Sequence, residues 1–124
     1  MGSNSKIKRA VNYIDTHLGD DDVIEQAVML SGYSPGHFAR LFRMATGDST
    51  YRYLRRQRLD AARHMLVHSR IKIIDIALEL GFGSHQDFTR AFKTFYGQSP
   101  SSYRKTGKPE PLVNLYTAQF AIGF

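Results

Sequence analysis

Arg52, Arg55, Arg56, Arg58 and Arg63 crowd one short stretch, a density of guanidinium groups that either seats a polyanion or solvates the outer face of a helix. Their surroundings favour an anion, although charge alone does not decide. Residues 1–39 carry three basic and five acidic side chains, a net of −2, whereas residues 40–108 carry fourteen and five, a net of +9, within a total of +6. A polyanion is the natural partner of such a segregated charge. Two other clusters point to metals and fall short. His64 and His68 stand four apart, as two ligands on one helix would, with no third ligand nearby. Asp20, Asp21 and Asp22 lack the spaced oxygen ligands of a calcium loop, and Asp22 with Glu25 reads instead as a capping box. No H-E-x-x-H pair, phosphate loop or nucleophile motif is present, so we expect no catalysis, cofactor or metal. With no cysteine, disulfides and thiolate sites are excluded. No apolar run reaches the roughly 20 residues of a membrane span, and the start has no hydrophobic signal core, which together suggest a cytoplasmic protein.

The elements that must hold these residues are helices. Ile7, Val11, Ile14 and Leu18 recur at helical spacing and predict a helix over about residues 6–18, followed by a short one from Asp22 to about Leu30. Ser34-Pro35 opens a third, with Phe38, Leu41, Phe42 and Ala45 inward and Gly47 at its end; Ser49 caps a fourth running to about Leu66. Ile73, Ile74, Ile76, Ala77 and Leu80 predict a fifth closed by Gly81, Ser84 opens a sixth through Tyr96, and Ser99-Pro100 a last one through Arg104. The expected class is all-α, with about seven helices.

The chain also repeats itself. Ser34, Phe38, Arg40, Phe42, Gly47, Ser49 and Tyr53 recur fifty residues on as Ser84, Phe88, Arg90, Phe92, Gly97, Ser99 and Tyr103. Ahead of them, Val28, Gly32 and Tyr33 match Ala77, Gly81 and Phe82 at an offset of forty-nine, so the second turn is one residue longer. Each unit is a helix, a Gly-aromatic turn and a serine-capped helix. That is the pattern of a helix-turn-helix, whose second helix is free to enter a major groove, and it is also a connection that helical bundles use. Duplication together with segregated positive charge favours the first reading.

Asp75-Ile76-Ala77-Leu78-Glu79-Leu80-Gly81-Phe82, running into Ser84-His85-Gln86-Asp87-Phe88-Thr89-Arg90-Ala91-Phe92-Lys93 and Gly97-Gln98-Ser99-Pro100-Ser101-Ser102-Tyr103-Arg104, resembles the AraC/XylS family of transcription regulators, with the MarA, SoxS and Rob group nearest. The resemblance covers about residues 6–105 and implies two helix-turn-helix subdomains, over 6–48 and 68–106, joined by a long linker helix over 49–67. It implies a monomer on double-stranded DNA, with two reading helices in successive major grooves of an asymmetric site, and activation through RNA polymerase. Carried over by position, the first base-reading helix falls on Pro35, Gly36, Ala39 and Arg40, with Arg43 towards phosphate. Gly36 and Ala39 stand where the MarA group has a tryptophan and a glutamine, which leaves Arg40 as the one long side chain to read there. His85, Gln86, Asp87, Thr89 and Arg90 occupy the second set of contact positions. Gln86 suits adenine and Arg90 guanine, while Asp87 suits its own helix N-terminus. Arg55 matches a phosphate contact of the linker helix, and Ser34, His37, Ser84 and Lys93 are further backbone-positioning candidates.

One stretch lies outside the repeat. Leu112 to Phe124 is apolar and strand-like, set off by Pro109 and Pro111, and reads as the first strand of a further, effector-binding domain or as cover for an open face. Within residues 107–124 it is the one feature that supports a protein-binding module instead.

Overall fold

A computed structural model of the chain describes residues 3–107, and the regular structure among them is helical: α1 (Ser3–Thr16), α2 (Val23–Ser31), α3 (Pro35–Thr46), α4 (Thr50–His68), α5 (Ile73–Glu79), α6 (His85–Tyr96) and α7 (Pro100–Thr106). The apolar tail falls outside the described residues. No helix of the described residues is long and apolar enough to cross a membrane.

Serines set the helix starts as their spacing predicts. Ser34, Ser84 and Ser99 adopt extended backbone and accept from the N–H of His37, Asp87 and Ser102 at 3.3, 3.0 and 3.2 Å, and Ser49 does the same for Arg52 at 3.3 Å. Three local expectations need correction. The first helix ends at Thr16 rather than Leu18, because the Thr16 hydroxyl donates to the Asn12 carbonyl at 2.9 Å and His17 Nδ1 lies 2.8 Å from the Tyr13 carbonyl oxygen, drawing off the last turn's acceptors. Asp22 does not close a capping box: its backbone (φ −106°, ψ 24°) leaves the extended conformation a cap requires, and its carboxylate accepts from Gln26 Nε2 at 3.3 Å instead. Ile74 is exposed, since Ile76, Ala77 and Leu80 already form the buried stripe of α5 and Ile74 lies off it.

The described residues form two compact units that divide between Gln57 and Arg58, inside α4. In the first, Ile7, Ala10, Val11 and Ile14 of α1 meet Val23 and Ala27 of α2, Phe38 and Phe42 of α3, and Tyr53 and Leu54 of α4. In the second, Leu59, Ala62 and Leu66 of α4 are buried in the positions that Ile7, Ala10 and Ile14 hold in the first, with Ile76, Phe82, Phe88, Phe92 and Tyr103. The repeat is thus structural, and α4 serves it twice: its first half closes one core and its second half opens the next. Side-chain bonds mark both roles. Tyr53 Oη and Gln57 Nε2 donate to Asp15 at 2.8 and 3.1 Å, tying the first half to α1. On the second half, Asp60 accepts from Tyr96 Oη at 2.7 Å, and Arg104 Nε donates to the Leu66 carbonyl at 2.9 Å near the helix end. Burial, and secondarily the bond to Asp60, push the Tyr96 hydroxyl well above the ordinary tyrosine range, so it stays neutral and donates.

Equivalent aromatic pairs join α3 and α6 each to the helix after it. Phe42 meets Tyr53 edge-on with centroids 5.3 Å apart and planes at 83°; Phe92 meets Tyr103 at 5.6 Å and 76°. Phe42→Ala and Phe92→Ala should each cost about 3–5 kcal/mol, and Tyr53→Phe, which removes a bond to a carboxylate, about 1.5–3 kcal/mol. Denaturant unfolding checks both, and a loss below 1 kcal/mol for either alanine variant would contradict the packing described.

Candidate nucleic-acid interface

A helix that spends one face on the core has the opposite face left for a ligand. On α3, Phe38 and Phe42 are buried, so Gly36, His37, Ala39, Arg40 and Arg43 come to the outer surface, and all five are exposed. On α6, Phe88, Ala91 and Phe92 are buried, and His85, Gln86, Arg90 and Lys93 are exposed while Thr89 is half-buried. Each expected residue of the two helices therefore lies at the surface or at its margin. Ser34 and Ser84 are exposed at the helix starts, and their oxygens already accept a backbone N–H, which leaves each hydroxyl proton to donate. Arg55 is exposed on the first half of α4.

The electrostatics of the two helices differ. Arg40 and Arg43 have no ion pair among the described residues. Arg90 reaches Asp87 at 4.0 Å, with both side chains largely exposed, a pair of the kind worth little in water and open to exchange for a stronger partner. Asp87 sits in the first turn of α6, where a carboxylate is favoured by the helix dipole. Asp87 thus eases the helix end and lies within reach of Arg90.

Much of the arginine run on α4 is engaged within the fold. Arg58 donates to the Gly81 carbonyl at 3.4 Å, Arg63 pairs with Asp60 at 3.4 Å and lies over the Tyr96 ring at 5.3 Å, and Arg52 pairs with Asp48 at 3.4 Å. The spacings Asp48–Arg52 and Asp60–Arg63 were visible signals of this, as helical neighbours four and three apart. The His64 and His68 rings lie 4.3 Å apart on the surface of α4, and no group of three metal-ligating side chains occurs among the described residues.

Gly36 departs from what the fold requires. A Cβ there would meet nothing within 4 Å, and its φ is not in the left-handed region, so no packing or backbone constraint asks for glycine. The gap on the exposed face of α3 is one of side chains only.

Comparison with known proteins places this geometry. A family model described as a helix-turn-helix domain matches residues 30–106. The chain is 37% identical over 102 residues to the regulatory protein PocR of Salmonella typhimurium, covering 82% of this chain and 34% of PocR. It therefore spans about a third of that relative's length. To the regulatory protein SoxS of the same organism it is 34% identical over 104 residues, covering 84% of this chain and 97% of SoxS. Among solved structures, the DNA-binding domain of the global transcriptional factor AdpA, in complex with a target DNA, is similar with a TM-score of 0.75 and 26% identity, covering 94% of this chain and 97% of that one.

Because nothing opposes a methyl group at position 36, Gly36→Ala should raise stability by about 0.4–1 kcal/mol through helix propensity and the unfolded chain. Ser84→Ala should lower it by about 1 kcal/mol through loss of the cap. Thermal melts measure both, and a destabilised Gly36→Ala would mean that the open space is filled.

Proposed function

The chain belongs to the AraC/XylS-type helix-turn-helix family of transcription regulators, and from that premise we propose that it recognises double-stranded DNA by sequence and regulates transcription without catalysing a reaction. The observation that carries this is the pair of repeat-related, serine-capped helices, α3 and α6, each buried on its phenylalanine side and exposed on its polar side. Each takes a major groove, and together they read an asymmetric site as a monomer, with residues 6–48 and 68–106 as reading subdomains and 49–67 as the linker. The protein acts in the cytoplasm, as an activator in contact with RNA polymerase.

The information is carried unequally. On α6, Arg90 takes guanine through two parallel bonds, Gln86 takes adenine, Thr89 offers its methyl group to thymine, and His85 supplies a further polar contact. On α3, Arg40 is the one long base-reading side chain. Gly36 and Ala39 contribute by what they lack, allowing the helix backbone to approach the DNA closely. Ser34, His37, Arg43, Arg55, Ser84 and Lys93 hold phosphates and fix the register. The one-third coverage of PocR supports a second form of the same reading, in which these residues are the DNA-binding part of a longer, effector-responsive regulator.

Arg90→Ala should cost about 1–3 kcal/mol and relax preference at one base position, whereas Arg55→Ala should weaken all sequences alike and reduce the salt slope by about 1. Equal, sequence-blind losses for both would refute the division of roles. Selection of bound sequences from random DNA at physiological salt should return two patches about 10–10.5 base pairs apart, the stronger one belonging to α6. Recovery of no preferred sequence would refute recognition by sequence altogether.

A further inference from the structure

With His37 and Arg43 turned to phosphates, α3 offers a base edge a single hydrogen-bonding side chain. Pro35, Gly36, Ala39 and Arg40 are all exposed, and the first three bring no side-chain donor or acceptor. Long helical side chains lean over the turn that precedes them, and the turn before Arg40 holds Gly36, where even a Cβ would meet nothing within 4 Å. Arg40 has no ion pair among the described residues, so its fork can spread on the O6 and N7 of guanine. What its neighbour Ala39 can read in a major groove is the C5 methyl of a pyrimidine. Consecutive Cα atoms stand about 3.8 Å apart, close to the roughly 3.4 Å between stacked base pairs, so the methyl and the guanine belong to neighbouring pairs.

The repeat supplies a contrast within the same chain. Fifty residues on, Ala39-Arg40 becomes Thr89-Arg90 and Gly36 becomes Gln86. The second helix therefore keeps a methyl group beside a guanidinium and adds a hydroxyl and a carboxamide, groups able to tell the O4 acceptor of thymine from the N4 donor of cytosine. On α3 both additions are missing. To an alanine, thymine and 5-methylcytosine look alike, whereas cytosine and uracil lack the one group it can touch.

We propose that α3 reads pyrimidine C5 methylation: Ala39 takes a methyl-bearing pyrimidine beside the guanine held by Arg40, thymine and 5-methylcytosine alike, so methylating a cytosine there converts a poor half-site into a good one. This rests on the DNA reading given above and adds the chemical group recognised.

The test uses the full chain and a duplex obtained by selection from random DNA. Arg40→Ala first identifies the guanine, as the position whose preference it abolishes. Thymine, uracil, cytosine and 5-methylcytosine are then placed in turn on each side of that guanine, each opposite its complement, and binding is titrated by fluorescence anisotropy. On one side, uracil and cytosine should bind about 4-fold more weakly than thymine, the worth of one buried methyl group, and 5-methylcytosine should match thymine. In Ala39→Gly the four duplexes should bind equally; the comparison is made within one protein, so any change in helix propensity cancels. Equal binding of thymine and uracil on both sides, a 5-methylcytosine duplex no better than the cytosine one, or a methyl effect that survives in Ala39→Gly would overturn the proposal and leave recognition by sequence standing. If Arg40→Ala alters no base preference, the failure is the earlier one: α3 then reads no bases, and the methyl proposal falls with it.

Discussion

On α3 and α6 the phenylalanine stripe faces the core and the polar side chains face out, and that separation is held by the edge-to-face contacts of Phe42 on Tyr53 and Phe92 on Tyr103. Each phenylalanine lies towards the middle of its helix and each tyrosine in the first turns of the helix that follows, so one contact fixes both the rotation of the earlier helix and the exit of the chain. Rotation is the quantity at stake. A turn of one residue, about 100°, would take Arg40 or Arg90 from the surface into the core and bring out a phenylalanine. The serine caps set where the helices begin; the aromatic contacts set which way they face.

The sharing of α4 follows from the same economy of parts. Each unit needs a helix to close it and a helix to start it, and α4 supplies the close of the first with Tyr53 and Leu54 and the start of the second with Leu59, Ala62 and Leu66. The arginines on this helix are then explained by position. Arg58 and Arg63 are half-buried with carbonyl or acidic partners in the fold, whereas Arg52, though paired with Asp48, and Arg55 are exposed. A run that looks uniform in composition is divided by the period of the helix into structural and outward-facing members.

Much of this was legible in the sequence because the repeat fixes type, position and spacing together. Gly32 with Gly81, Ser34 with Ser84 and Phe42 with Phe92 mark turn, cap and inward face before any coordinates are consulted. What was not legible depends on competition between neighbours. The end of α1 was misplaced because Thr16 and His17 vie for carbonyls that apolar periodicity does not register. The capping box was misread because residue types say nothing about the backbone angles of Asp22. Ile74 was counted by its type, although the buried side of so short a helix as α5 is already filled by Ile76, Ala77 and Leu80. The double use of α4 was present as a fifty-two-residue offset between Ile7, Ala10, Ile14 and Leu59, Ala62, Leu66, hidden by the charges interleaved among the second set.

The two corner glycines carry unequal obligations. Both have left-handed backbone, with φ of 76° at Gly32 and 82° at Gly81. Around Gly32 a Cβ would meet nothing within 4 Å, so asparagine, which visits that conformation at modest cost, is an admissible replacement. At Gly81 a Cβ would come within 2.7 Å of the Arg58 guanidinium, the same group whose Nη1 donates to the Gly81 carbonyl. The first corner can thus take a side chain without disturbing any neighbour, while at the second the Arg58 guanidinium has to swing aside and give up its bond to the Gly81 carbonyl, a shift that the end of a long side chain makes readily.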